Sequence, residues 1–440
     1  IDLPAAEQNE FRDIMQALAK AEAKFEQNLM DATDAFSWHG ETLEELDGLP
    51  DNLIRAAKDN ARDQNLTGYQ LKLDPPTYMA VMSHGTSEAL RKVFYTAWVT
   101  RASDQGPHAG QWDNTPVMEE ILALRHRAAL LLGFEDYAAL SLATKMAESD
   151  SEVLEFLEQL ANRSREIARQ EFTELEAFAG RSLNAWDVAY FAEQMRQRTL
   201  GVDEEALRPY FPLERVFSGL FKVAEALFGV RFCRRSDVAC WHEDVRYYDL
   251  LDADDNVLGG MYLDLYARPN TRGGAWMDEC LIRQAIAGEV IQPVAHLVCN
   301  FSPPQGTAPA LLTHRDVVTL FHEFGHTLHH LLTEVDYPSL SGINGVPWDA
   351  VELPSQFFEN FAWLPSVLDW LSEHYETGEP LPAEALDRLK ASRNFHAGLQ
   401  MVRQLEFALF DFRLHAEYEP AEGGRVAEVL GEVRASVSVV

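Results

Sequence analysis

Two histidines four residues apart enclose a glutamate in Leu320-Phe321-His322-Glu323-Phe324-Gly325-His326-Thr327-Leu328, the H-E-x-x-H pattern. On a helix, positions i and i+4 differ by about 40° in azimuth and about 6 Å in rise, so both imidazoles can converge on one ion. Glu323 would project beside that ion instead of onto it, within reach of a water, and can act as general base. With 14 histidines in 440 residues, the pattern arises by accident in about one such chain in twenty. The setting argues against accident. From Val317 to Leu332 no other acidic or basic side chain besides histidine appears, and a buried charged glutamate without a partner costs several kcal/mol. A dication would compensate it.

A catalytic zinc takes three protein ligands and keeps one position open for water. His329 lies seven residues past His322, about 10 Å along a helix axis, too far to share an ion held at the first turn. His329 and His330 therefore read as packing groups or as supports behind the ligands, and Glu334 is farther still. After a turn-rich loop from Tyr337 to Pro347 the chain returns through Trp348-Asp349-Ala350-Val351-Glu352-Leu353-Pro354-Ser355-Gln356. Glu352, 26 residues beyond His326 and flanked by apolar side chains, is the expected third ligand. Glu359, seven residues on and near the same face, is expected to hold a ligand histidine from behind.

The elements that must carry these groups are legible in outline. Thr313 and Asp316 form a capping-box start, and Val317, Leu320, Phe321, Phe324, Leu328 and Leu331 make an apolar helix face. A second helix is expected with Phe357, Phe358, Phe361 and Leu364 as its face and Pro354 in its first turn or kinking it. Helical spacing also marks Phe11 to Leu29, and Ser151 to Gly180 through Val153, Phe156, Leu157, Leu160, Ile167, Leu175 and Phe178. Gly180 is a plausible stop. Leu200 to Pro212 reads as a connection without an element of its own. Val245–Leu251 and Val257–Tyr266 flank the polar run 252–256 as a hairpin, and Val294 to Phe301 is a third strand. The run 252–256 superficially resembles a calcium loop, but Val257 and Leu263 stand where glycine and the bidentate glutamate belong, so a plain turn is expected.

Composition bounds the rest. The 440 residues, 47% hydrophobic, suit two or three domains or one large two-lobed body. Lysine plus arginine number 37 against 70 acidic residues, a formal charge of −33, which disfavours nucleic acid and anionic membrane as partners. Cys233, Cys240, Cys280 and Cys299 match no zinc-ribbon or redox spacing and are expected to be reduced and mostly buried. The absence of an apolar run of 18 residues or of a signal-peptide pattern points to a cytoplasmic protein. The first residue, Ile1, leaves a removed leader open.

HEFGH followed by the loop and then by VPWDAVELPSQFFEN resembles the thimet oligopeptidase family of zinc metallopeptidases. Segments 100–114, 262–280 and 403–418 carry the likeness across essentially the whole chain. The resemblance implies a mainly α, two-lobed zincin (gluzincin) fold with a small β-sheet beside the H-E-x-x-H helix and a deep central channel. It implies one zinc ion held by His322, His326 and Glu352, with Glu323 as base and the strand around Val294 to Asn300 near the substrate. Residues 1–210 would form a helical lobe, 211–388 the zinc-binding lobe, and 389–440 helices returning to the first lobe. The activity implied is endopeptidase cleavage of short unstructured peptides by a monomer. A dipeptidyl carboxypeptidase of the same family, or a non-catalytic peptide-binding scaffold, is the alternative. Family members carry a Gly- and Tyr-rich loop downstream that nothing after Tyr418 matches. The expectation is therefore that the chain lacks N- and C-terminal parts of the full protein and cleaves peptides poorly by itself.

Overall fold

Short-range chemistry fixes the helix ends that matter most. In the computed structural model, which describes residues 3–201, 203–269, 271–304, 306 and 308–440, the helix Asp150–Ala179 starts where the Ser149 hydroxyl accepts the Glu152 N–H. It stops at Gly180, whose left-handed φ of 70° costs no Cβ clash. Its buried stripe is Ala161, Ala168 and Leu175, seven apart, whereas Phe156 and Ile167 are exposed, contrary to the face expected from sequence. The cause is close packing against the helix Ala397–Ala416. A Cβ on Gly398 would lie 2.8 Å from the Ala168 nitrogen, so the backbones approach most closely at small residues, while Leu157 and Leu160 of the expected face pack, partly buried, against the same core and Leu175 is fully buried.

These two helices belong to a unit formed by Ile1–Met195 and Asn394–Val440; a second unit spans Arg196–Arg393. Among its described residues the first unit is helical apart from a two-stranded antiparallel ribbon, Ser37–Gly40 with Tyr69–Lys72. The connection expected from Leu200 to Pro212 includes position 202, which lies outside the described residues. The remainder is not free of structure. Asp203 caps a helical turn, Glu204–Leu207, and a 3-10 turn follows over Arg208–Tyr210. The local sequence Asp-Glu-Glu-Ala-Leu supplies an N-cap and an acidic first turn, which suffices.

The second unit is organised on a five-stranded sheet: β1 (Arg231–Arg235), β2 (Arg246–Leu251), β3 (Val257–Tyr266), β4 (Trp276–Leu281) and β5 (Val294–Phe301), in the order β1-β2-β3-β5-β4. β3 and β5 are parallel and every other neighbouring pair antiparallel. The expected hairpin is β2-β3, and its turn is the plain one: Asp252 accepts the N–H groups of Asp254 and Asn256 with its own carboxylate. Along β5, Ala295, Leu297, Cys299 and Phe301 are buried while Val294, His296, Val298 and Asn300 are half-buried, the two-residue period of a sheet with one face packed.

The packed face meets the helix His314–Leu331, called here the motif helix. Its capping box forms as expected, with Thr313 Oγ1 accepting from Asp316 N and the Asp316 carboxylate accepting from Thr313 N. Val317, Leu320, Phe321, Phe324, Leu328 and Leu331 are all buried in one core with the sheet and with the helix Leu213–Phe228. The return helix, Leu353–Glu359, carries Pro354 in its first turn and tightens into a 3-10 turn at Asn360–Trp363. Of the apolar face expected there, Phe358 is buried and Phe361 partly so, but Phe357 and Leu364 are exposed. Two turns followed by a change of pitch do not keep positions 357 to 364 on one side. The cysteines also depart from expectation: only Cys299 is buried, and Cys233, Cys240 and Cys280, all free, are exposed. Cys233 and Cys280 lie on the two outer strands of the sheet, where most side chains are exposed or only half-buried. The chain as described is mainly helical with a small sheet, and among the described residues no helix is long and apolar enough to cross a membrane.

Candidate metal centre

His322 and His326 stand one turn apart on the motif helix, and their rings approach edge to face with centroids 5.1 Å apart. The return helix brings Glu352 in at its N-cap position, so that Oε2 lies 3.1 Å from His322 Nε2 and 3.2 Å from His326 Nε2. Among the described residues these three form the one group of metal-ligating side chains whose donor atoms all fall within 4.8 Å of each other. Tetrahedral bonds of about 2.0–2.2 Å separate donors by roughly 3.4 Å, so the observed spacing suits one small dication. Glu352 is half exposed, not shielded as its apolar neighbours in sequence suggested. The N-cap position is the reason: it lets Val351 turn inward while Glu352 and Leu353 face out.

Behind His322, Nδ1 lies 2.7 Å from Glu359 Oε1. A carboxylate can only accept, so His322 donates Nδ1–H there, which leaves Nε2 as the ring nitrogen that can offer a lone pair toward Glu352. A lone pair against a carboxylate oxygen at 3.1 Å is repulsive unless a cation or an additional proton lies between them. The donor set of two imidazoles and one carboxylate therefore fits a bound dication on chemical grounds. His329 is not part of this arrangement. It is partly exposed, its Nδ1 has no hydrogen-bond partner among the described residues, and burial lowers its pKa with help from His326 and His330. His330 is fully buried and its Nε2 donates to the Leu281 carbonyl 2.9 Å away, tying the motif helix to the edge strand β4.

Glu323 is 7% exposed. Burial raises its carboxyl to about 7; His322 opposes this, the negative charge of Glu352 adds to it, and the backbone N–H of Met277 on β4 partly offsets it. With no cation beside it, this carboxyl is balanced between its two protonation states near neutral pH, the range in which a group can both take and return a proton. Cys299, buried on β5, feels the same charge: burial foremost, then Glu323, pushes its thiol well up. Neither Met277 nor Cys299 was recognisable beforehand. Their proximity to Glu323 is set by the strand order β3-β5-β4, which no local spacing encodes.

The chain is 49% identical over 446 residues to "Oligopeptidase A" of Escherichia coli (strain K12), covering 100% of this chain and 66% of the relative. It is 33% identical over 420 residues to "Dipeptidyl carboxypeptidase" of the same organism, covering 94% of this chain and 61% of the relative. The chain thus spans 66% of the length of the first curated relatives it matches. Among solved structures, "PZ peptidase A with inhibitor 2" superposes with a TM-score of 0.51 at 14% identity, over 98% of this chain and 63% of that one, a likeness of fold. The family model described as Peptidase family M3 matches residues 81–439, and a match over that much of the sequence makes this chain a member of peptidase family M3.

Proposed function

We propose that the chain is the zinc-binding part of a metallo-oligopeptidase that hydrolyses internal bonds of short unstructured peptides. The observation that carries this reading is the convergence of His322 Nε2, His326 Nε2 and Glu352 Oε2 beside the buried carboxyl of Glu323. Family membership and the 49% identity to an oligopeptidase support the substrate class. The finer architecture, a two-lobed zincin with a deep central channel, rests on the family resemblance, as does the monomeric state, whereas a cytoplasmic location is proposed from the sequence pattern.

His322, His326 and Glu352 would hold the ion. When bound, zinc would polarise the scissile carbonyl and make a water at the open position more acidic. Glu359 keeps the proton of His322 on Nδ1, so that Nε2 stays free to bind. Glu323 accepts a proton from the attacking water and returns it to the nitrogen of the departing amine. Its burial matters twice: it keeps competing solvent away and brings the carboxyl near 7 in the absence of the ion.

Hydrolysis of an internally quenched peptide tests this reading. Activity should vanish when a chelator strips the metal and return on addition of one equivalent of zinc. Chelator-insensitive cleavage would contradict the proposal. A second reading, release of C-terminal dipeptides, is favoured by the 33% relative and is separated by product masses, which should be internal fragments.

A further inference from the structure

The motif helix and the return helix touch backbone to backbone at Gly325, between the two histidines. A Cβ there would lie 2.6 Å from the Pro354 carbonyl oxygen and 2.7 Å from the Ser355 Cα. Distances below 3.0 Å to backbone are not accommodated by side-chain movement, so only glycine permits this approach. It seats Ser355, which is fully buried, directly beside the histidine-bearing turn. The Ser355 hydroxyl lies 2.9 Å from Glu352 Oε2 and 2.9 Å from the Glu352 carbonyl oxygen. That carbonyl already accepts the Gln356 N–H at 2.9 Å, so the carboxylate is the acceptor with more to gain. Oε2 is the same oxygen that faces both imidazoles.

We propose that Ser355, held against Gly325, is a positioning residue that fixes the Glu352 carboxylate, so that metal affinity depends on a hydroxyl that does not touch the ion. Glu352 needs such a hold. Half exposed on a long side chain, it has many rotamers to lose on binding, and a donor fixed in the protein interior selects the one that points Oε2 at the imidazoles. A carboxylate oxygen has two lone pairs, so accepting from Ser355 leaves one for the ion. The inference rests on the zinc-binding reading above.

The test is a chelator-competition measurement of zinc affinity on the metal-free 440-residue chain, made for the wild type, Ser355→Ala, Glu352→Ala and the double variant. Alanine at a helical position keeps the backbone satisfied, and the melting temperature of the metal-free proteins monitors folding. Ser355→Ala should weaken zinc binding about 10-fold, the lower end for groups that orient metal ligands, while the metal-free melting temperature stays near that of the wild type. In the Glu352→Ala background the same change should alter affinity less than about 2-fold, since no carboxylate remains to be oriented. Unaltered affinity in Ser355→Ala, with the wild type binding one zinc, overturns the inference and leaves the zinc reading standing. An equal loss in both backgrounds also overturns it, because the effect would not pass through Glu352. A wild type that binds no zinc overturns the zinc reading itself, and the inference with it.

Discussion

At the scale of single residues the proposed chemistry depends on one glutamate used as a base and on the atoms that surround it. Glu323 sits one position from a proposed ligand but is directed into the protein, next to the Met277 backbone and Cys299. Replacing it with glutamine keeps the shape and removes the proton acceptor. Zinc content of Glu323→Gln should equal that of the wild type, while peptide hydrolysis falls by about 10²–10⁴-fold, the usual contribution of a positioned acid–base group; turnover near the wild-type rate would remove Glu323 from the mechanism. The H-E-x-x-H spacing already pointed to this residue and to both histidines, since i and i+4 on a helix leave little freedom. Glu359 was likewise legible from its distance along the return helix. For His329 the sequence left packing and support behind the ligands both open, because seven residues of separation says nothing about which groups its ring faces; in the structure its Nδ1 has no hydrogen-bond partner among the described residues.

At the scale of elements, the site is as rigid as the joints that hold the motif helix. One joint is His314 at its first turn, buried against Phe211 and Trp363, with Nε2 donating to the Ala362 carbonyl 2.9 Å away. Burial lowers the pKa of His314 below its ordinary value. The sign of the consequence follows from linkage. Between the unfolded value of about 6.5 and the lower folded value, the unfolded chain binds the proton and the folded chain does not. Stability is therefore fully present above about pH 6.5 and is lost as the pH falls, by at most about 1.4 kcal/mol per unit for this one group. Melting curves should show His314→Gln with a shallower decline between pH 7.5 and 5.5 than the wild type, whereas parallel declines would assign the acid sensitivity elsewhere. The capping box and apolar stripe made the start and the buried face of the motif helix readable from sequence. The long helix Asp150–Ala179 was equally visible as an element and Leu175 on its buried side was named, yet Ala161 and Ala168 were not, because the partner that selects small residues there lies more than two hundred positions away. The return helix was misjudged for a different reason: Phe357 and Phe358, adjacent on one α-helix, point about 100° apart, and a 3-10 turn at Asn360 breaks the period that was to carry the face on to Leu364.

At the scale of the whole molecule, the formal charge of −33 sets a long-range field whose influence salt reduces over about 10 Å at 0.1 M. Peptides rich in lysine or arginine should be captured faster than acidic ones at low salt. Raising ionic strength from about 10 to 150 mM is expected to lower kcat/KM several-fold for a cationic peptide and to leave it level or raise it for an acidic analogue. Identical salt dependence for both would mean that the field does not reach the encounter. The centre itself is tested most directly by titrating the metal-free protein with zinc and repeating the titration on Glu352→Ala. The wild type should bind one tight equivalent, and the variant should bind with an affinity lower by more than about 100-fold, beyond what loss of an outer partner causes. One equivalent bound by Glu352→Ala at wild-type affinity would contradict the proposed centre, because the ion would then be held without the carboxylate that joins the two helices.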